Sequence, residues 1–439
     1  MHVRVQPHAV LLALLLTGAA AHAAGRADQS WRDASLSSFD EAWQAIHETY
    51  YDPTFGGLDW AAVRDELRPR VEAARSPDHV REIIREMLAR LGQSHFALIA
   101  SVPASRAPGD ARVPVEIRLS GSRFVITGLD PDSSAAAVGL SAGDIIRAVD
   151  GESTAGWLPD DGHRDERRRA LEAVEHALAA LAGPDGSRVN LTVEGRDGER
   201  TVTVTRARER GRVVKFGNLP PLSVRADARE QATPAGRRAG VIAFNVWMPA
   251  ATATIDAAVD RFRDAAGLVI DLRGNPGGLV EMIRGVAGHL IDEPVSLGRM
   301  QTRQAELEFR VNPRRSTSDG RRVDPFAGPV ALLVDELTAS ASECFAGSLQ
   351  SLGRARIFGR QTMGQALPAA TRRLSNGDVL LHVLGDFVTP TGVRLEQRGV
   401  VPDEPVPLSI DALRAGRDLA LEAALAWIDR EASAHARLP

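Results

Sequence analysis

The sequence is poor in several residues on which particular chemistries depend. Its one cysteine, Cys344, excludes an intramolecular disulfide framework and any multi-thiolate metal cluster. Nearly every cation is arginine, and Lys215 is the only lysine among 439 residues, so a catalytic lysine must be that one or none. Lys+Arg 53 against Asp+Glu 57 gives a net charge of -4, with no basic block to track phosphates, which argues against a nucleic-acid partner. No His-Glu-x-x-His spacing occurs, so a metal hydrolase is disfavoured and no metal or other cofactor is expected. Gly-x-Ser-x-Gly is missing too, against an α/β-hydrolase esterase, as is the Gly-Lys-Ser/Thr of a phosphate loop. What remains is ordinary for soluble globular proteins: 44% hydrophobic, 25% charged, and long enough for two to four domains.

Residues 1–23 read as an address. Arg4 precedes the apolar run Ala9 to Leu16, and small residues end in Ala21-His22-Ala23, the pattern of a secretory signal peptide cut after Ala23. A membrane anchor needs ~20 apolar residues, and Gly18, His22 and Gly25 interrupt this run too early. The expectation is a periplasmic or secreted protein with no stable membrane insertion after cleavage.

Three regions follow. The first, 30–105, has helical periodicity from Leu36 to Leu91, with stripes such as Val80, Ile83, Ile84, Met87 and Leu91. That stripe stops at Gly92, and Gln93-Ser94-His95-Phe96 forms an exit turn; Ala104 to Asp110 reads as a linker. The second, 111–208, reads as short strands with one helix from about Asp165 to Leu181 and a hairpin around Asp197-Gly198. Its segment Ala137 to Gly151, A-V-G-L-S-A-G-D-I-I-R-A-V-D-G, resembles a PDZ domain. Such domains add an extended peptide as a strand and hold its C-terminal carboxylate in backbone N–H groups; an ordinary small β-rich domain is the alternative. The third, 212–430, alternates apolar strands with helices, the signature of an α/β layer. Within it, Asn312 to Asp324 reads as a polar loop with its charges in solvent.

Two strand ends in the α/β region are placed for chemistry, since such sheets bind ligands at their carboxyl ends. Strand Leu268–Leu272 leads into Arg273-Gly274-Asn275-Pro276-Gly277-Gly278, where glycines let backbone N–H groups approach an anion; the same turn suits a tight connection. Strand Val330–Val334 leads to Ser340 at the start of a helix. Ser340 with Glu343 fits a capping box, yet the same place puts a hydroxyl among unpaired N–H groups suited to a nucleophile. A nucleophilic serine needs a base. Of eleven histidines, His95 stands out in its exit turn, with His382 in strand Val379–Leu384 as its rival.

These residues resemble the tail-specific or C-terminal processing protease family of serine peptidases. The likeness rests on V-I-D-L-R-G-N-P-G-G (Val269 to Gly278), T-A-S-A-S-E (Thr338 to Glu343), G-R-Q-T-M-G (Gly359 to Gly364) and R-G-V-V-P-D (Arg398 to Asp403), in the family's order. It implies a multidomain α/β fold: a crotonase-like (ClpP-like) catalytic core with an inserted PDZ domain and an N-terminal helical region carrying the base. One departure matters. Many members carry Thr-x-Gly-Lys-Gly with a catalytic lysine, and here Thr362-Met363-Gly364-Gln365-Ala366 has none. A second branch, similar to the tricorn core protease, uses histidine, and its Ser-His pair is matched by Ser94-His95 and its glutamate by Glu396.

The mechanism so implied has Ser340 attacking a peptide carbonyl and His95 taking its proton. Glu396 orients His95 directly or through Ser94, and N–H groups of Ala341 and of Gly277 or Gly278 form the oxyanion hole. Glu396 as a surface acid beside Arg394 and Arg398, and Ser94 as a plain turn former, stay open. The expected partner is a polypeptide whose C-terminal tail sits in the PDZ groove, and a homo-oligomer is left open. A non-catalytic PDZ peptide-binding protein and an esterase or amidase on small substrates are the rival functions. With His95 as base, activity should fall below about pH 6.5, the ordinary histidine value.

Overall fold

A computed structural model describes residues 30–101, 110–158 and 166–435. The expected leader at 1–23 and nearly all of the linker at 104–110 lie outside the described residues.

The N-terminal region is a helical layer. A helix over 30–49 is followed by Trp60–Glu72, whose cap Asp59 accepts the Ala62 N–H, and by Pro77–Ala89. Ser76 caps the last of these by accepting the His79 N–H, with Pro77 at the first helical position, where its missing N–H costs nothing. The inward stripe Val80, Ile83, Ile84 and Met87 is fully buried with Phe39, Ile46 and Leu67. Each such side chain contributes roughly 1.5–3 kcal/mol on leaving water.

This layer does not close on itself. Its core includes Leu374, Leu380 and Val383 from an antiparallel hairpin, Ala369–Arg373 with Val379–Val383, nearly 300 residues further along. Strand Ala97–Ile99 extends the hairpin, pairing Ala97 with Leu381, and the buried Asp378 accepts from Arg81 Nε at 2.8 Å. The turn at Ser94 and His95 is therefore fixed from both sides, by a helix end and by a sheet.

The middle region is an antiparallel sheet in the order Val115–Ser120, Arg123–Leu129, Ile145–Val149, Arg188–Gly195, Gly198–Thr205, with helix Glu166–Leu181 packed on it. Val115–Ser120 is an edge. Ile126, opposite Ile117, spends its N–H and C=O on Asp144 and Gly143. By antiparallel alternation, Ile117 points its own N–H and C=O outward.

The C-terminal region is built on parallel strands Arg238–Phe244, Gly267–Asp271, Val330–Val334 and Arg356–Gly359, extended by Glu404–Pro405 and bounded by the antiparallel strand Ala226–Ala232. Both faces are covered, as the apolar runs require. Ile242, Ile270 and Leu332 pack under helices Pro249–Arg261, Glu281–Gly288 and Ala341–Ser351. Val241, Val269 and Leu333 face Leu421, Leu425 and Ile428 of helix Leu419–His435. The chain is thus of mixed α/β character.

In the 312–324 loop Arg315, Asp319, Arg321, Arg322 and Asp324 are exposed, as expected, and Arg314 is the exception. Arg314 pairs with Asp256 at 2.6 Å, Arg315 with Asp324 at 2.8 Å, and Ser318 donates to Asp260. Helix Pro249–Arg261 offers the carboxylates of Asp256 and Asp260, which Arg314 and Ser318 clasp.

Candidate active site

Strand Val330–Val334 ends in a buried turn before the helix Ala341–Ser351. Asp335 takes the N–H groups of Gly274 (2.9 Å) and Leu337 (3.1 Å), and the Thr338 hydroxyl donates to the Leu272 carbonyl at 2.8 Å. The two glycine- and serine-bearing strand ends are thereby laced together. Ser340 then adopts φ 55° and ψ -122°, a left-handed backbone that a non-glycine residue enters only under constraint. The constraint is visible: its N–H points at the Gln365 carbonyl (2.8 Å) and the Glu343 carboxylate (3.1 Å). The capping box expected from Ser340 and Glu343 is present at this helix start, and it does not exhaust the Ser340 hydroxyl. The Ser340 Oγ also lies 3.1 Å from His95 Nε2.

His95 arrives from 245 residues upstream, also left-handed at φ 58°. Its other ring nitrogen, Nδ1, is 2.7 Å from Ser94 Oγ, which lies 2.9 Å from Glu396 Oε2. Glu396 also receives the Ser94 N–H on Oε1 (3.0 Å) and the Ala366 N–H on Oε2 (2.9 Å). The carboxylate thus reaches the imidazole through the Ser94 hydroxyl. At 4% exposure Glu396 is no surface acid.

Counting protons fixes the tautomer. The ionised Glu396 can only accept, so the Ser94 hydroxyl gives it its single hydrogen. Ser94 Oγ then accepts from Nδ1–H, leaving the Nε2 lone pair directed at Ser340. Burial pushes His95 down to about 4, so the imidazole stays neutral far below the pH 6.5 expected from composition alone. Burial also raises the Glu396 carboxyl above its usual range, opposed by the Ser94 and Ala366 donors.

The glycine-rich turn lies against Ser340. Gly277, at φ 103°, is so close that a Cβ would stand 2.5 Å from the Ser340 Cβ. Its N–H is committed to Asn275 Oδ1 at 3.0 Å, whereas no hydrogen bond occupies the N–H groups of Gly278 and Ala341. Of the pair left open by the sequence, Gly278 is therefore the one with a free donor, and Gly277 supplies room. Asn275 escaped the sequence reading although it sits in the motif. Fully buried, it donates from Nδ2 to the Phe244 carbonyl and accepts the Ala339 N–H on its own carbonyl.

The rivals are elsewhere. His382 Nδ1 meets Thr49 Oγ1 at 3.1 Å, His289 Nε2 meets Asp256 at 2.8 Å, and Lys215 is exposed just beyond strand Arg212–Val214. Among the described residues, no group of three or more His, Cys, Asp or Glu is placed to hold a metal ion, and no helix is long and apolar enough to cross a membrane.

Comparison with known proteins follows these lines. Residues 238–406 match the model of peptidase family S41, and residues 34–89 match that of the tricorn protease C1 domain. The chain is similar to a carboxyl-terminal-processing protease of Picosynechococcus sp., 29% identical over 401 residues, covering 88% of this chain and 87% of the relative. It is 28% identical to the chloroplastic carboxyl-terminal-processing peptidase 2 of Arabidopsis thaliana, over 84% of this chain and 68% of the relative. Among solved structures, the photosystem II D1 C-terminal processing protease aligns with a TM-score of 0.54 at 26% identity, covering 88% of this chain and 98% of that one.

Proposed function

We propose that this chain, whose residues 238–406 match the model of peptidase family S41, is a serine-type peptidase that hydrolyses peptide bonds of unfolded or tail-presented polypeptides through Ser340, His95, Ser94 and Glu396. The observation that carries this reading is the continuous relay from buried Glu396 through Ser94 and His95 to Ser340, in one tautomer throughout. Ser340 Oγ attacks the carbonyl carbon as its proton passes to His95 Nε2. His95 then gives that proton to the leaving amine as the C–N bond breaks, and Ser94 with Glu396 stabilises the transient imidazolium. Gly278 and Ala341 N–H groups hold the developing oxyanion, a donation worth about 2.7–4 kcal/mol of barrier per group. Water repeats the sequence on the acyl-enzyme. Gln365 takes no part as a base.

Residues 212–430 serve as the crotonase-like core and 111–208 as a PDZ domain. The outward N–H of Ile117 offers the edge along which a C-terminal tail would add as a strand, beside an Ile117 carbonyl that already accepts from Arg118. The leader at 1–23 places the enzyme outside the cytoplasm, in the periplasm or secreted.

The test is labelling with a serine-directed fluorophosphonate, followed by cleavage of unstructured polypeptides. Wild type should be labelled and active, Ser340→Ala neither, and His95→Ala should lose turnover while Lys215→Ala keeps it. Wild type that resists the label would leave only a peptide-holding role, and turnover of small aryl esters without polypeptide cleavage would favour an esterase.

A further inference from the structure

A second carboxylate borders the site and the relay does not use it. Glu343 is fully buried one turn into the helix that starts at Ser340. Its oxygens receive the Ser340 N–H (3.1 Å), the Gly364 N–H (2.6 Å), the Gln365 N–H (2.9 Å) and the Thr362 hydroxyl. The next N–H along, that of Ala366, goes to Glu396. Three consecutive backbone donors, Gly364, Gln365 and Ala366, are thus shared between two buried carboxylates. One of these is tied to the nucleophile's turn and the other to the base. The stretch that lacks a lysine is here a joint: through its backbone, the position of Ser340 and the position of His95 are set against each other.

All four partners donate to Glu343 in its ionised form. Three of them, the backbone N–H groups, can only donate, and the Thr362 hydroxyl, whose oxygen accepts the Val400 N–H at 2.7 Å, gives its proton to the ionised carboxylate. A proton on Glu343 would therefore face three backbone hydrogens, with only the second lone pair of the Thr362 oxygen able to accept it after the hydroxyl turns away. We propose that Glu343 is a positioning residue for the hydrolysis, whose negative charge holds the Ser340 turn and the 362–366 segment in the reactive arrangement, so that its protonation sets the acid limit of activity. The proposal rests on Ser340 and His95 acting as described above.

The surroundings allow that limit to lie within reach. No cation pairs with Glu343 among the described residues. The adjacent titratable group on its own helix is the Cys344 thiol, which burial keeps protonated. The 362–366 segment carries no titratable side chain, and its Ala366 N–H goes to Glu396, which is engaged with Ser94. Burial against the four donors pushes Glu343 up to about 7, while burial pushes His95 down to about 4. The two groups should therefore mark two separable acid limits.

The experiment is a pH profile of kcat and KM for peptide hydrolysis, with fluorophosphonate labelling alongside, on the full chain. Wild type should lose kcat below about pH 7. Glu343→Gln puts an NH2 group where an acceptor is needed; kcat should drop about 10²-fold, the scale of a roughly 1 Å misplacement, with KM unchanged. Its residual activity should persist to about pH 4. Glu343→Asp should recover part of kcat. Thr362→Val removes one donor to the carboxylate and should move the wild-type limit upward, and it decides the matter should Glu343→Gln fail to fold. Wild-type kcat in Glu343→Gln, a retained limit near pH 7 in that variant, or an unmoved limit in Thr362→Val would each overturn the proposal. Labelling that survives Ser340→Ala, or turnover that survives His95→Ala, would instead overturn the reading beneath it.

Discussion

Ser94 has a single hydroxyl proton and two neighbours, and the direction in which it gives that proton decides which nitrogen of His95 is bare. Ser94→Ala keeps the backbone N–H to Glu396 but removes the link between carboxylate and ring. His95 is then free to take the wrong tautomer, and kcat should fall by up to about 10⁴-fold with KM little changed. Steady-state kinetics on a fluorogenic peptide reads this directly. Gly277→Ala belongs to the same scale: a methyl 2.5 Å from the Ser340 Cβ and 3.0 Å from the Ala341 nitrogen must push the nucleophile's turn aside. Fluorophosphonate labelling should fall at least about 10²-fold. Ser340 and His95 were named from their places in the sequence, Ser94 and Glu396 from the family resemblance, and the four side chains lie in one hydrogen-bonded row. Which glycine donates was not legible there, since that depends on Asn275 drawing the Gly277 N–H away. Nor could the sequence foretell how far His95 is depressed, because desolvation depends on what packs over the ring rather than on its neighbours in the chain.

At the scale of elements, the proposed base, His95, is held by a joint between the front of the chain and a late hairpin. Asp378, its side chain fully out of water, receives Arg81 Nε and Nη2 together with the Ser101 N–H. Arg81→Ala would strand a buried carboxylate, and such losses run to roughly 3–5 kcal/mol. A lowered urea midpoint should accompany a loss of kcat, because strand Ala97–Ile99 and the His95 turn lean on this hairpin. The helices here were readable from their caps and stripes, and the parallel strands from apolar runs buried on two faces. Of the antiparallel pieces, strand Val379–Val383 and the hairpin around Asp197-Gly198 were read, and others were not. Strand Ala226–Ala232 reads A-D-A-R-E-Q-A and covers a sheet edge, and hairpin Val295–Thr302 with Glu306–Val311 alternates weakly and carries a register shift. Tertiary pairing overrides local preference at such places.

On the scale of the whole molecule, the middle region is held to the core by contacts of two kinds. Arg414, beyond the last core strand, donates to the carbonyls of Gly143 (3.1 Å) and Glu194 (3.2 Å). Arg118, on the edge strand itself, donates to its own Ile117 carbonyl (2.9 Å) and to Asp335 (2.6 Å). Burial works to raise Asp335, and the Arg118 and Arg360 guanidiniums outweigh it and hold the carboxyl below its usual range. The same carboxylate accepts the Gly274 N–H at the start of the glycine-rich turn. Arg118→Ala should therefore do two things at once. The stranded Asp335 should lower stability by roughly 3–5 kcal/mol, seen as a reduced urea midpoint. Its carboxyl should also rise toward protonation, so that the Gly274 anchor weakens and kcat falls most at the acid end of the profile. A variant that loses stability while keeping the wild-type pH profile would show that the clamp joins the two regions mechanically without reaching the turn beside Ser340.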